Sequence, residues 1–188
     1  KSSGGKAIIT SAEHQTGTDR IFEVFKKTLK EEPKIIINLQ GDMPNIEPKA
    51  ITDLVSYMNK EQCDIGTLAS TFNSKKEREN PNVVKVALKE KISPNVFSNA
   101  IDFFRINTNS TDKIYHHIGI YAFTNKALIR YVGLKRSKLE LERKLEQLRA
   151  LENNMSIHVG YIKSSPLSVD TEEDLKEVAN LMRKNEKN

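Results

Sequence analysis

The 188-residue sequence holds one cysteine, Cys63. A lone thiol excludes an internal disulfide and fits a reducing compartment, the cytoplasm. No nucleophile motif surrounds it, so Cys63 reads as a small buried hydrophobe. Long apolar runs are missing, which argues against a membrane-spanning helix, and no signal peptide is visible. Because the chain opens at Lys1, its true N-terminus is expected upstream. Internal repeats and low-complexity linkers are absent, and the length fits one domain. There is no Walker lysine loop, no Rossmann glycine pattern and no nucleophile elbow. Hydrophobic residues make up only 37% of the chain, but they come in runs strong enough for a packed core. The net charge of +5 is dispersed among 25 acidic residues. Its densest basic cluster, Arg183-Lys184-Asn185-Glu186-Lys187-Asn188, reads as a solvated helix end, so nucleic acid is not expected as a partner.

What the chain does have is an alternation of short apolar strands and amphipathic helices. Ile35-Ile36-Ile37-Asn38-Leu39 is a near-continuous apolar run, the mark of a strand buried on both faces. It breaks into Gln40-Gly41-Asp42-Met43-Pro44, placing an amide and a carboxylate at the carboxyl end of a strand, where open α/β sheets hold ligands. Other strands are expected at Ala7–Thr10, Asp64–Phe72, Val83–Leu88, Ile114–Phe123 and Ile157–Ile162, with Asn95–Ser98 pairing to Val83–Leu88. Helices are expected from Asp19 to about Glu32, from Pro48 through Met58, over Asn125–Val132, and after Val169. A longer one is expected over Glu140–Asn153, with Leu141, Leu145, Leu148 and Leu151 on one stripe. Residues 73–82 read as a charged loop or short exposed helix, and Ile101–Lys113 as a mobile loop. This alternation predicts a three-layer α/β fold, and the strand-rich stretch from Val83 to Phe123 predicts a small antiparallel lobe.

Several segments carry chemistry, each beside a plainer reading. Gln40-Gly41-Asp42 reads equally as a strand-to-loop turn or as a place where Asp42 holds a hard cation beside a phosphate. Asp170 reads as a helix cap or, if it converges with Asp42, as half of a Mg²⁺ site. Alternation along His116-His117-Ile118-Gly119-Ile120-Tyr121 puts His117, Gly119 and Tyr121 on one face, a wall suited to a polar ligand or a half-exposed edge strand. Two adjacent histidines with no cysteine and no third histidine make a poor zinc site. Glu146 and Gln147 are ordinary residues for a solvated helix face. Gly17-Thr18-Asp19-Arg20 reads as a helix cap with a surface arginine, or as amides and a guanidinium near phosphate.

Taken in order, His14–Arg20, Asn38–Pro44, His117–Tyr121, Leu145–Arg149 and Val169–Leu175 resemble one family, the 3-deoxy-manno-octulosonate cytidylyltransferases or CMP-Kdo synthetases. The resemblance runs from about Gly4 to the last helix. It implies a nucleotide-diphospho-sugar transferase fold with a mainly parallel sheet, and a homodimer formed through the lobe at about 83–123. It also implies Mg²⁺-dependent transfer of CMP from CTP to Kdo, giving CMP-Kdo and pyrophosphate for lipopolysaccharide synthesis. By match, Asp42 and Asp170 are the catalytic, metal-holding pair. Gln40, His117, Tyr121, Glu146 and Gln147 are sugar-side residues, and Gly17, Thr18 and Arg20 are nucleotide-side residues. The family's opening strand and phosphate loop have no counterpart here, so the 188-residue chain alone is expected to be inactive. Met43 stands where the family has an acidic residue, and Val96-Phe97-Ser98-Asn99 where it has Tyr-Phe-Ser-Arg. Two other readings stand beside this one: cytidylyl transfer to another acidic sugar, and a non-catalytic sugar-nucleotide binding or dimerisation module.

Overall fold

Every residue of Ile65–Ser70 (β2) is buried, so this strand must be covered on both faces. The computed structural model describes residues 4, 6–28, 32–106, 111–169 and 171–185. Its other strands are β1 (Ile35–Asn38), β3 (Lys85–Leu88), β4 (Ser98–Phe104), β5 (Ile114–Thr124) and β6 (Ile157–Tyr161). The helices are α1 (Gly17–Thr28), α2 (Pro48–Lys60), α3 (Lys75–Glu79), α4 (Asn125–Val132), α5 (Lys138–Arg143), α6 (Gln147–Glu152) and α7 (Glu172–Asn185). Among the described residues no helix is long and apolar enough to cross a membrane.

On one face of the sheet, α2 starts with Pro48 in its first turn and buries Ala50, Leu54 and Met58. These meet Leu68, Ile118, Ile120 and Ala122, with Met43 and Cys63 in the same layer. Gly66 permits the close approach of α2, since a Cβ there would lie 2.8 Å from both Leu54 and Met58. Burial pushes the Cys63 thiol up to about 11, as suits an inert core cysteine. On the other face Phe25 of α1, Leu128 and Tyr131 of α4, and Leu148 and Ala150 of α6 pack on Ile65, Ala69, Tyr121, Phe123 and Val159. The expected three layers are therefore present.

The strands order as β1-β5-β2-β6-β4-β3, and β3 also pairs back onto the start of β5, closing a circuit. Only β2–β6 is parallel among these pairings. The α/β class holds, but the sheet is mixed where a mainly parallel one was expected. The cause is two strands, β5, inserted between β1 and β2, and β4, between β6 and β3, both of which run against the direction of β1, β2, β3 and β6.

Three local expectations are corrected. Ala7–Thr10 is not a strand; Ile9 is almost fully exposed, and no described strand lies beside it to share a ladder. The loop expected over Ile101–Lys113 contains the second half of β4, which pairs with β3 through Ala100 to Phe104; residues 107–110 lie outside the described set. The pairing of β3 is with this strand, while Ser93 and Val96 form only an isolated bridge. Nearby, the buried Lys85 directs its ammonium at the carbonyls of Asn80, Val83 and Arg105, at 2.5, 2.8 and 2.6 Å. Burial and the charge of Arg105 push its pKa down.

The third correction bears on the site. The single helix expected over Glu140–Asn153 is two helices, broken at Lys144, whose φ of 54° is left-handed. Glu140 and Arg149, both almost wholly buried, form a two-pronged pair: Nε to Oε2 at 2.9 Å and Nη2 to Oε1 at 2.6 Å. On one continuous helix these residues would sit about 13 Å apart along the axis, so the pair demands the break. Burial favours the neutral acid, but hydrogen bonds from Arg149 and Arg136 outweigh it and hold the Glu140 carboxyl below the usual range. The Arg149 guanidinium also lies over the Tyr131 ring, 4.6 Å from its centre. Removing the arginine leaves a buried carboxylate with only the Arg136 guanidinium and the Ser137 N–H as partners. Arg149→Ala is expected to destabilise the protein by about 3–5 kcal/mol, read as a lowered midpoint in urea unfolding; an unchanged midpoint would refute this role for the pair.

Candidate active site

The break at Lys144 delivers Glu146 and Gln147 to the start of α6. Gln147 is buried, and the Tyr131 hydroxyl donates to the Glu146 carbonyl at 2.8 Å, fixing the turn. Glu146 and Gln147 line a crevice with Thr18, Ile65, Tyr121, Phe123 and Tyr131. The free space there is about 10 Å³, room for no more than about one water. Burial pushes the Glu146 carboxyl above its usual range, against the hydroxyls of Thr18 and Thr16 and the charge of Arg149. Its Oε2 is buried with no hydrogen-bond partner. Burial, with Glu146 and Tyr131 adding to it, pushes the Tyr121 phenol far above its ordinary value, so it stays a neutral donor.

β5 carries both Tyr121 and His117 to this side of the sheet, and a bulge preserves their common face. Thr67 pairs with Tyr121 and Leu68 with Ile118, so β5 inserts two extra residues and the alternation stays in phase. The two rings lie 5.5 Å apart, centre to centre, and His117 also meets the edge of Phe103 at 5.0 Å. The buried His117 Nε2 is 3.0 Å from the Thr67 hydroxyl, whose own proton goes to the Ile120 carbonyl at 2.6 Å. Thr67 therefore accepts from His117, which fixes the Nε2–H tautomer. Burial, helped by His116, lowers the His117 pKa to about 3. His116 faces the other way, 2.7 Å from Glu77.

β1 supplies the third wall. Asn38 pairs with Tyr121 across the sheet, and its Oδ1 accepts from Gln40 Nε2 at 2.9 Å. Gly17 opens α1 against this pair; a Cβ on it would fall 2.7 Å from Gln40 Nε2. Gly17, Thr18, Gln40, His117, Tyr121, Glu146 and Gln147 thus gather around one turn of α1 and one stretch of β5. Arg20 does not join them: it is exposed and donates to Thr10 and to the Ser11 carbonyl. Asp42 is exposed beyond the end of β1, and its carbonyl accepts from Val169 N–H at 2.9 Å. Asp170, the next residue, lies outside the described set. Among the described residues no three His, Cys, Asp or Glu side chains gather as a metal cluster.

The family model for cytidylyltransferases matches residues 1–157. The chain belongs to the cytidylyltransferase family. It is 43% identical over 183 residues to 3-deoxy-manno-octulosonate cytidylyltransferase of Afipia carboxidovorans, covering 96% of this chain and 73% of that protein. The relative of the same name from Thermodesulfovibrio yellowstonii is 42% identical over 93% of this chain and 72% of its own length. A solved CMP:2-keto-3-deoxy-manno-octonic acid synthetase complexed with CTP superposes with a TM-score of 0.84 at 33% identity, over 98% of this chain and 75% of that one. A 4-diphosphocytidyl-2C-methyl-D-erythritol synthase from Anaerococcus prevotii shares the fold, with a TM-score of 0.56 at 14% identity over 90% of this chain and 68% of its own.

For this cytidylyltransferase, sequence reasoning missed Thr67 and Asn38 as side chains that set the site. The available signal was a polar residue closing or interrupting an apolar strand, at positions that prove 0% and 3% exposed. Met43 is a departure with a structural reason: it is buried in the α2 layer, its methyl facing Gly119. The low His117 pKa generates a prediction. A histidine with its ordinary pKa of 6.5 in the unfolded chain takes a proton there before the folded state does. Stability is therefore full above about pH 6.5 and falls as the pH drops toward about 3. His117→Gln is expected to flatten that fall in urea unfolding between pH 7 and pH 4 (the wild-type slope persisting in the variant would count against it).

Proposed function

We propose that this chain serves the transfer of CMP from CTP to the acidic sugar Kdo, with release of pyrophosphate. The observation that carries the reading is the convergence of Tyr121, Glu146, Gln147 and Thr18, with Gln40 beside Gly17; the crevice of about 10 Å³ marks where these side chains meet and is not the room a sugar would take. The relatives named for this reaction support the substrates. A neutral phenol, a carboxyl group with an unpaired oxygen and two amides form a donor–acceptor set suited to a polyhydroxylated ligand. On this reading the anomeric hydroxyl attacks the α-phosphorus, a P–O bond forms, and the bond to the β-phosphate breaks with pyrophosphate leaving. The chain's own work is positioning and electrostatics. His117, neutral at working pH, orients the Tyr121 wall. The α1 N-terminus with Gly17 and Thr18 faces the nucleotide, while Arg20 points away to Thr10 and Ser11.

Asp42 and Asp170 would hold Mg²⁺. Two carboxylates are the donor set that this hard cation takes together with substrate phosphate, and Val169 donates its N–H to the Asp42 carbonyl. When bound, the metal would neutralise charge building on phosphate oxygens. The β3–β4 lobe is proposed to mediate a homodimer, in keeping with the outward Val96, Ile101 and Ile106, which are 47%, 59% and 73% exposed. The outer edge of β1, unpaired among the described residues, is where the family's opening strand would add. The reaction is placed in the cytoplasm, where a lone buried thiol is at home.

Titration with Kdo and CTP tests the assignment. Tyr121→Phe is expected to weaken Kdo binding about 10-fold and leave CTP within about twofold, the size of one lost hydrogen bond in a closed site. In the full-length gene product, Asp42→Asn should abolish Kdo-dependent pyrophosphate release while Kdo binding persists. Equal loss of both ligands in Tyr121→Phe would overturn the sugar-side assignment. A full-length gene product that binds Kdo and CTP without pyrophosphate release, even with Mg²⁺, would favour the non-catalytic module.

A further inference from the structure

Asn38 closes β1 with 3% of its surface exposed and stands opposite Tyr121 in the sheet. A side-chain amide has an oxygen that accepts and a nitrogen with two protons to place. The oxygen is served, since Oδ1 accepts from Gln40 at 2.9 Å. The nitrogen is not: Nδ2 is buried without a hydrogen-bond partner. Buried donors in folded proteins are nearly always paired with protein, water or ligand, so this one takes its acceptor from outside the chain. Nδ2 lies toward Gly17, where a Cβ would come within 3.5 Å of it. The next residue, Thr18, lines the crevice shared with Tyr121, Glu146 and Gln147. That crevice also holds the reciprocal orphan, the buried acceptor Glu146 Oε2. An unpaired donor and an unpaired acceptor on two sides of one helix turn match a ligand whose hydroxyls both donate and accept.

We propose that Asn38 is a specificity-determining residue of the sugar site, with a separate task for each end of its amide. Oδ1 holds the Gln40 side chain in place, and Nδ2 donates to an oxygen of the bound acidic sugar. The proposal rests on the cytidylyl-transfer reading above. A purely structural role for Asn38 would require only the Gln40 bond and would leave Nδ2 indifferent to ligand.

Two substitutions separate the tasks. Asn38→Asp keeps an acceptor for Gln40 but has no donor and sets a negative charge against an anionic sugar. Asn38→Ala removes both. Side-chain amide resonances in ¹⁵N-labelled protein are followed with and without Kdo, and affinities for Kdo and CTP are measured by titration. In the wild type the Asn38 amide pair should shift saturably with Kdo and not with CTP. Asn38→Asp should bind Kdo about 10-fold more weakly or worse, leaving CTP within about twofold and the Gln40 resonance near its wild-type position. In Asn38→Ala the Gln40 resonance should move toward that of a free amide, and Asn38→Thr, which restores a donor, should recover part of the Kdo affinity. Thermal melts confirm folding, and if the alanine variant does not fold, the threonine variant carries the Gln40 measurement. Wild-type Kdo affinity in Asn38→Asp would overturn the donor task, and an unmoved Gln40 resonance in Asn38→Ala the positioning task. A wild type that binds no Kdo would sink the sugar reading itself and with it the donor task, while the Gln40 resonance would still judge the positioning task.

Discussion

The Glu140–Arg149 pair is the constraint on which the candidate site depends. Two residues nine apart in sequence meet in the core with two hydrogen bonds, and no straight helix allows that. The chain must turn back at Lys144, and the turn is what brings Glu146 and Gln147 inward. A buried ion pair of this kind adds little net stability over a well-packed apolar pair. Its value here is directional: it selects one path of the chain. Tyr131 reinforces that path from both sides, taking the guanidinium on its ring and giving its hydroxyl to the Glu146 carbonyl.

β5 is the second organiser. It is hydrogen-bonded to β1, β2 and β3, so one strand links the end of β1 that carries Asn38 to the lobe. The two-residue bulge opposite Thr67 and Leu68 is compatible with function because it is even. An odd insertion would have turned His117 to the α2 side and separated it from Tyr121. Thr67 settles the orientation of the imidazole by having only one proton of its own, already committed to Ile120.

Much of this was legible because burial on two faces leaves continuous apolar runs, as in Ile35–Asn38, Ile65–Ser70 and Ile157–Tyr161. The alternation that joined His117 to Tyr121 was legible for the same physical reason, a side-chain period of two. The break at Lys144 was hidden because Leu145, Leu148 and Leu151 keep a helical spacing on both sides of it, while the pair that forces the break is a charged one. Leu141, counted in the stripe, is 53% exposed. β4 was hidden because Asn99 and Ile101 face outward, and its inward residues are defined only by partners on β3 and β6. The strand directions depend on where β5 inserts, which no local pattern records. In the site, the ordered motifs pointed to Gln40, His117, Tyr121, Glu146 and Gln147. They could not separate a buried amide such as Asn38 from a surface one, since the letter is the same in either place.

Lys85 has a consequence of its own. Its ammonium, surrounded by the carbonyls of Asn80, Val83 and Arg105, occupies the kind of oxygen cage in which proteins also hold potassium. Here the cation is tethered to β3 by its own side chain. The turn before β3 and the end of β4 are thereby stitched together without recruiting anything from solution. The monovalent cation that fills this corner of the lobe is encoded in the chain.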